Sequence, residues 1–344
     1  MFDRHQRQAH FFERTPRGAF RAPVTVHGLG DSVVRERMDE DTYRAACDEL
    51  MMLEIAGERC DVEAVRAGDL APVFFGSAVN NFGVQLLLDA WTNKRRTTIM
   101  KANIPNEIRN RHGERLDFTY HPGAPEVSTL VVLGHGVTGN KDRPLLVELA
   151  DALARAGVHA LRFSFAGNGA SEGRFENATV TKEVDDLGAV LDALPGWNIG
   201  YAGHSMGAAV GIVRAGQDAR IRFLISLGGM AHTAAFAQRE FADVKPGAGC
   251  MWDKPECPLS QAYLDDMARV GSVVEAARRV RVPWLFVHGQ ADDVVPPQDS
   301  RDLLAVASEP KRLVEVPDAD HVFSDHHAAA MAGVVVAWMK ELRL

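Results

Sequence analysis

The residue whose setting most invites covalent chemistry is Ser205. It stands in Gly203-His204-Ser205-Met206-Gly207, between the apolar run Ile199 to Gly203 and a helix start at Ala208-Ala209-Val210. The two glycines let a strand turn sharply into a helix, which lifts the serine hydroxyl clear of the sheet. A bare GxSxG also fits a plain strand-to-helix turn; the strand before it and the helix after it favour a nucleophile. A serine hydroxyl is a weak nucleophile at neutral pH, so it needs an imidazole base and a carboxylate to fix that base's tautomer. The run Trp284 to Val287 ends in His288-Gly289-Gln290-Ala291-Asp292-Asp293-Val294-Val295-Pro296. The HGxxDxxVP spacing assigns the acid to Asp292, with Asp293 as competitor. Beyond Leu313-Val314-Glu315-Val316 comes Asp318-Ala319-Asp320-His321-Val322-Phe323, which supplies His321 as the base. His326 and His327 read as solvated residues opening the last helix.

The oxyanion of an acyl-transfer reaction needs preorganised donors, and backbone N–H groups provide them. Leu130-Val131-Val132-Leu133-Gly134 runs into His135-Gly136-Val137-Thr138-Gly139, and the Val137 N–H is predicted to form the hole with the Met206 N–H. His135 reads as a brace behind that loop. His135, His204, Met230 and Trp252 are the candidate substrate contacts. No CxxC or Cys/His cluster has zinc-ligand spacing, and the predicted chemistry needs neither metal nor organic cofactor.

These residues need a rigid frame. Short, continuously apolar runs at 130–134, 158–163, 199–203, 223–227 and 284–287 alternate with amphipathic segments at 143–156, 179–194, 206–216, 298–307 and 326–342. Strands apolar on both faces suit a mostly parallel sheet covered by crossover helices, an α/β fold. About fifty residues, 229–281, separate two of the strands, too many for a simple crossover, and are read as a lid insertion. Met230, Phe236, Phe241, Met251, Trp252, Pro255, Pro258 and Tyr263 lie in it, fit either to line an acyl or aryl pocket or to pack the lid on the body. Cys250 and Cys257 lie there too, and their pairing stays open.

The chain has 344 residues and a formal charge of −8, with 46% hydrophobic and 24% charged residues, a globular rather than disordered balance. The negative charge and the lack of a dense Lys/Arg stripe count against nucleic acid as a partner. The charged start, MFDRHQRQAHFFERTPR, and the lack of any eighteen-residue apolar run predict a soluble cytoplasmic protein without membrane association. Asn93 to Thr98 has no apolar period and reads as a linker, giving a small α+β extension at 1–97 and a main domain at 98–344. Within the extension, 39–56 and 82–91 read as helices and 72–75 as a strand.

Two resemblances follow. Phe2-Asp3-Arg4, Ala22-Pro23-Val24 to Gly28-Leu29, Ala67 to Ala78 and Asn81-Phe82-Gly83-Val84 resemble the end of the GTPase domain of a bacterial class II peptide-chain release factor. No GxxxxGK[ST] loop accompanies them, so nucleotide hydrolysis is not implied. The segment reads as a fused remnant, whose Val73, Phe74, Phe75, Phe82, Leu86, Leu87 and Trp91 call for burial against the main domain or a second copy. Residues from about 100 onward resemble the α/β-hydrolase superfamily, in which the chain order is nucleophile, acid, histidine. His135 to Gly139, Arg162 to Gly173, Phe175-Glu176-Asn177 and Asp320 to Asp325 are similar to the cinnamoyl (feruloyl) esterase and dienelactone-hydrolase-like branch. That resemblance implies hydrolysis of small-molecule esters through an acyl-enzyme. Ser164 stands where many relatives have Asp, and Ser205 replaces the cysteine of dienelactone hydrolases. Thioesterase, acylaminopeptidase or cofactor-free perhydrolase activity remain alternatives on the same triad. A ribosome- or partner-binding role through the N-terminal segment is the alternative of a different class.

Overall fold

The computed structural model describes residues 103–342 continuously and, upstream, 2–3, 8–11, 24–27, 34, 36, 39–44, 47 and 48. The chain divides into two compact units, Met1–Thr98 and Ile99–Leu344. In the first, β1 (Phe2–Asp3), β2 (Gln8–Phe11) and β3 (Val24–His27) form a three-stranded antiparallel sheet. Residues 40–44, 47 and 48 of the expected 39–56 helix are helical, and the Asp39 carboxylate accepts from the Thr42 N–H at 2.8 Å, as an N-cap does. The expected strand at 72–75, helix at 82–91 and linker at 93–98 lie outside the described residues.

In the second unit a small hairpin, β4 (Ile108–Arg109) and β5 (Arg115–Leu116), precedes the edge strand β6 (Phe118–His121). The other strands are β7 (Thr129–Gly134), β8 (His159–Phe163), β9 (Asn198–His204), β10 (Ile221–Leu227), β11 (Trp284–Gly289) and β12 (Lys311–Val316). The seven-stranded sheet has the order β12-β11-β10-β9-β7-β8-β6 and is parallel throughout except for β6, which pairs antiparallel with β8. The helices are α1 (Pro144–Arg155), α2 (Val180–Asp192), α3 (Met206–Ala215), α4 (Thr233–Phe241), α5 (Gln261–Val270), α6 (Val274–Ala277), α7 (Pro297–Val306) and α8 (His327–Glu341).

Alternation along the strands divides the core between the two faces of the sheet. Leu130, Val132, Tyr201, Leu224 and Phe286 belong to one buried cluster with α2 and α3, while Val131, Leu133, Ala202, Ile225 and Val287 belong to another with α1 and α8. After β7 the chain goes outward through α1 to β8, then returns through α2 to β9 on the other side of β7. The strand order therefore reverses between β7 and β9, and the crevice at their C-terminal ends is where α/β sheets bind ligands. Among the described residues, no helix is long and apolar enough to cross a membrane.

The segment between β10 and β11 is largely helical, with α4, α5 and α6 and a tight turn at Met251–Asp253. Ser260 caps α5 by accepting from the Tyr263 N–H at 3.0 Å, and Asp266 on α5 accepts from the Thr181 hydroxyl on α2 at 2.8 Å. Cys250 and Cys257 are both free thiols. Phe241 packs edge-on against Trp252, with ring centroids 5.1 Å apart, and Trp252 is 38% exposed.

Glu183, on α2, is enclosed and its Oε2 has no hydrogen-bond partner. Burial chiefly, with the charges of Asp186 and Asp266, holds its carboxyl well above the usual carboxylate range against the opposing pull of Lys182. The folded protein thus keeps a proton that the unfolded chain releases above about pH 4.3. Stability falls as pH rises from there through the raised folded value. Glu183→Gln is predicted to raise the melting temperature at pH 8 by roughly 2–4 °C, about 1 kcal/mol for a domain of this size, and to leave it unchanged near pH 4. Equal melting of the two proteins at both pH values would contradict this electrostatic account.

Candidate active site

The site begins with a backbone constraint. Ser205 sits between β9 and α3 at φ 54°, ψ −121°, in a region that L-residues rarely enter. Its amide donates to the Leu227 carbonyl at 2.9 Å, and its own carbonyl accepts from Ala208 and Met230 at 3.0 and 3.2 Å. The flanking glycines let backbones touch. A Cβ at Gly203 would collide with the Gly207 carbonyl, and one at Gly207 would collide with the His135 carbonyl. Ser205 is buried, and among the described residues none hydrogen-bonds its hydroxyl.

The loop after β7 lies against this turn. A Cβ built on Gly136 would stand 2.7 Å from the Ser205 Cβ and 3.2 Å from its Oγ. Val137 follows immediately, and Met206 is the first residue of α3, where an N–H has no intrahelical acceptor. His135 is fully enclosed behind the loop, and burial above all pulls its imidazole down to about 4, so it is neutral at physiological pH. Its Nε2 accepts from the Phe165 N–H at 3.0 Å, which leaves the proton on Nδ1 to donate to the Gly136 carbonyl at 2.9 Å. His135 thus fixes the peptide that precedes Val137. Ser164 steadies the same loop by accepting from the Lys141 N–H at 3.0 Å.

Asp292 follows β11 and His321 follows β12. The His321 Nδ1 donates to Asp292 Oδ2 at 2.8 Å, while the other carboxylate oxygen accepts from the Val294 and Val295 amides at 3.0 and 2.8 Å. Asp293 is exposed and takes no part. Burial alone would raise the Asp292 carboxyl, but hydrogen bonds from His288 and His321 outweigh it and hold the group well below the usual carboxylate range. An ionised Asp292 can only accept, so the proton stays on His321 Nδ1 and the Nε2 lone pair remains available to a hydroxyl.

His288 is a site residue that sequence reasoning passed over. It is fully buried, with Nε2 3.1 Å from Asp292 Oδ2 and 2.9 Å from the Val295 carbonyl, and Nδ1 2.7 Å from the Ser300 hydroxyl. Its signal was the histidine four residues before the acid in HGxxD. His204, a candidate substrate contact, is buried and donates from Nε2 to the His321 carbonyl at 2.9 Å, with its ring 4.7 Å from the His321 ring. Burial, then the His321 charge, pulls its imidazole down to about 3. Met230 is buried beside Ser205, and the Trp252 indole N–H donates to Glu240 at 3.1 Å. His326 and His327 pack on each other at the start of α8. Among the described residues, no group of three or more His, Cys, Asp or Glu is placed to hold a metal ion.

The class that this sheet order and elbow define is the α/β-hydrolase fold. No family model matches the chain. Among solved structures, Est1E from Butyrivibrio proteoclasticus with bound ferulic acid is 25% identical, with a TM-score of 0.60 over 69% of this chain and 98% of that one. The esterase domain of a Rhodothermus marinus protein has a TM-score of 0.54 at 23% identity over 68% of this chain and 96% of that one. Mouse alpha/beta hydrolase domain-containing protein 10 has a TM-score of 0.59 at 17% identity, covering 69% of this chain and 98% of its own. The N-terminal region is similar to other proteins altogether. Peptide chain release factor 3 of Gloeobacter violaceus is 50% identical over 91 residues, and that of Trichodesmium erythraeum 44% over 91. Those residues are 26% of this chain, which spans only 17% of either release factor.

The electrostatics predict how the Ser205 reactivity responds to pH. His135 and His204 are already neutral and Asp292 already ionised, so neither of these two buried histidines contributes a proton as the base forms. Labelling of Ser205 by a fluorophosphonate should rise with a one-proton slope between about pH 5 and 8. A two-proton slope would show that a second buried histidine titrates with the base.

Proposed function

We propose that the chain is a serine carboxylesterase acting on short-chain or aryl carboxylic esters. The observation that carries this reading is the 2.8 Å bond from His321 Nδ1 to Asp292, which fixes the base in the tautomer a serine nucleophile requires, beside the helix terminus that presents Ser205. The esterase neighbours, one of them holding ferulic acid, support an ester and an aryl group.

In this mechanism Ser205 Oγ attacks the ester carbonyl carbon as its proton passes to His321 Nε2. Asp292 stabilises the resulting imidazolium without taking its proton, and the Val137 and Met206 N–H groups receive the oxyanion. Collapse expels the alcohol, which takes the proton from His321 and leaves an acyl group on Ser205. Water, deprotonated by the same imidazole, then releases the acid and regenerates the serine. A thioester or an acylated peptide terminus would follow the same steps, so a substrate panel separates those readings from this one. The 50% identity over 91 residues to a peptide chain release factor favours a second reading for the N-terminal region, as a ribosome- or partner-binding segment. Ribosome co-sedimentation and light scattering of the full chain test it.

Ser205→Ala and His321→Ala should each lower kcat/KM on a 4-nitrophenyl ester by about 10⁴-fold or more, because nucleophile and base act as one unit. Asp292→Asn should be severe and Asp293→Asn nearly silent. Full turnover in a folded Ser205→Ala protein, or a reversed ranking of the two aspartates, would contradict the assignment.

A further inference from the structure

Two cations beside the oxyanion turn converge on one residue and, among the described residues, have no anionic partner. Arg143 Nη2 donates to the Thr138 carbonyl at 3.2 Å, and Lys254 Nζ donates to the Thr138 hydroxyl at 3.3 Å. Both side chains are half-buried, and among the described residues no Asp or Glu oxygen lies within 4.0 Å of either charge. The carboxylates nearest in sequence to Lys254, Asp253 and Glu256, are exposed; Glu240 is held by the Trp252 indole N–H at 3.1 Å and by Arg239 at 3.2 Å.

Thr138 directly follows Val137, and Gly136, two residues earlier, lies against Ser205. Successive Cα atoms are about 3.8 Å apart, so Thr138 is within about 8 Å of that contact. Thr138 takes a positive φ of 55°, and the aromatic face of Trp252 lies 6.0 Å from the Lys254 ammonium. Burial is the main reason His135 and His204 stay neutral, and the charge of Arg143 adds to it, as expected of a guanidinium that faces the site. A half-buried cation bonded only to neutral groups has lost water without gaining a counter-charge, and an anion in reach of both would complete its coordination. Arg143 has five N–H donors and Lys254 three, and Thr138 takes one of each.

We propose that Arg143 and Lys254 form a carboxylate-binding site beside the oxyanion turn, and that the preferred esters of this chain carry a carboxylate. This rests on the ester-hydrolase reading of Ser205. The planar guanidinium suits bidentate contact with the carboxylate, and the ammonium adds charge from the side of the insertion.

The test uses the full chain and two matched pairs of esters. Mono(4-nitrophenyl) glutarate against 4-nitrophenyl butyrate places the carboxylate in the acyl half, and 4-acetoxybenzoate against its methyl ester places it in the alcohol half. The charged member of one pair should be favoured about tenfold or more in kcat/KM, the size of one charge-assisted contact. That preference should appear in KM, weaken in about 0.5 M NaCl, be reduced but retained in Arg143→Lys, which keeps the charge and loses the planar fork, and fall to near one in Arg143→Gln/Lys254→Gln. The pair that shows it identifies the half of the substrate that meets the cations. Ratios near one in the wild type, or a preference that persists in the double variant, would overturn the proposal. Should neither member of any pair be hydrolysed, the ester reading falls by itself. Calorimetric titration with glutarate and 4-hydroxybenzoate then decides the anion site: binding that the double variant loses upholds it, and no binding to the wild type removes it.

Discussion

The arrangement depends on the parallel pairing of β7 with β9, which ends with Gly134 opposite Gly203. Because the chain leaves these two strands toward opposite faces of the sheet, the loop after one and the turn after the other must share the same crevice. The closeness of that approach excludes side chains from it: Gly136, Gly203 and Gly207 each lie where a Cβ would press on backbone or on Ser205. The loop that carries Val137 and the turn that carries Ser205 are brought together by sheet topology before any side-chain chemistry is considered.

Around that contact, buried histidines act as structural donors. His135 holds the Gly136 carbonyl, His204 holds the His321 carbonyl, and His288 shares the Asp292 carboxylate with His321. Burial keeps the first two uncharged, so they orient peptides without adding positive charge beside the base. The ionised Asp292, with four donors on its two oxygens, is the fixed negative charge to which the site is built.

Much of this was legible in the sequence because the signals were local. The continuous apolar runs marked β7 to β11, since strands buried on both faces have no polar alternation to obscure them, and amphipathic segments marked α1, α2, α3, α7 and α8 but not the helices of the insertion. Ser205 and Asp292 each follow an apolar run and His321 follows the half-buried last strand β12, and the structure brings Asp292 and His321 into a hydrogen bond. The β4–β5 hairpin and β6 were not legible, because two-residue strands and a half-buried edge strand carry little periodicity. His288 and the Arg143–Lys254 pair were hidden for another reason. Their meaning lies in contacts between residues on separate elements, and Lys254 meets Thr138 across 116 positions of sequence.

The central claim is that Ser205 carries the acyl group between two half-reactions. Mixing the full chain with excess 4-nitrophenyl ester, quenching in acid during turnover and mapping the peptides by mass spectrometry tests it most directly. The account predicts one acyl mass increment per chain, on the peptide containing Ser205, absent when His321 is replaced. Turnover with no acylated intermediate on any peptide, or an acyl group found on Cys250 or Cys257 instead, would contradict it.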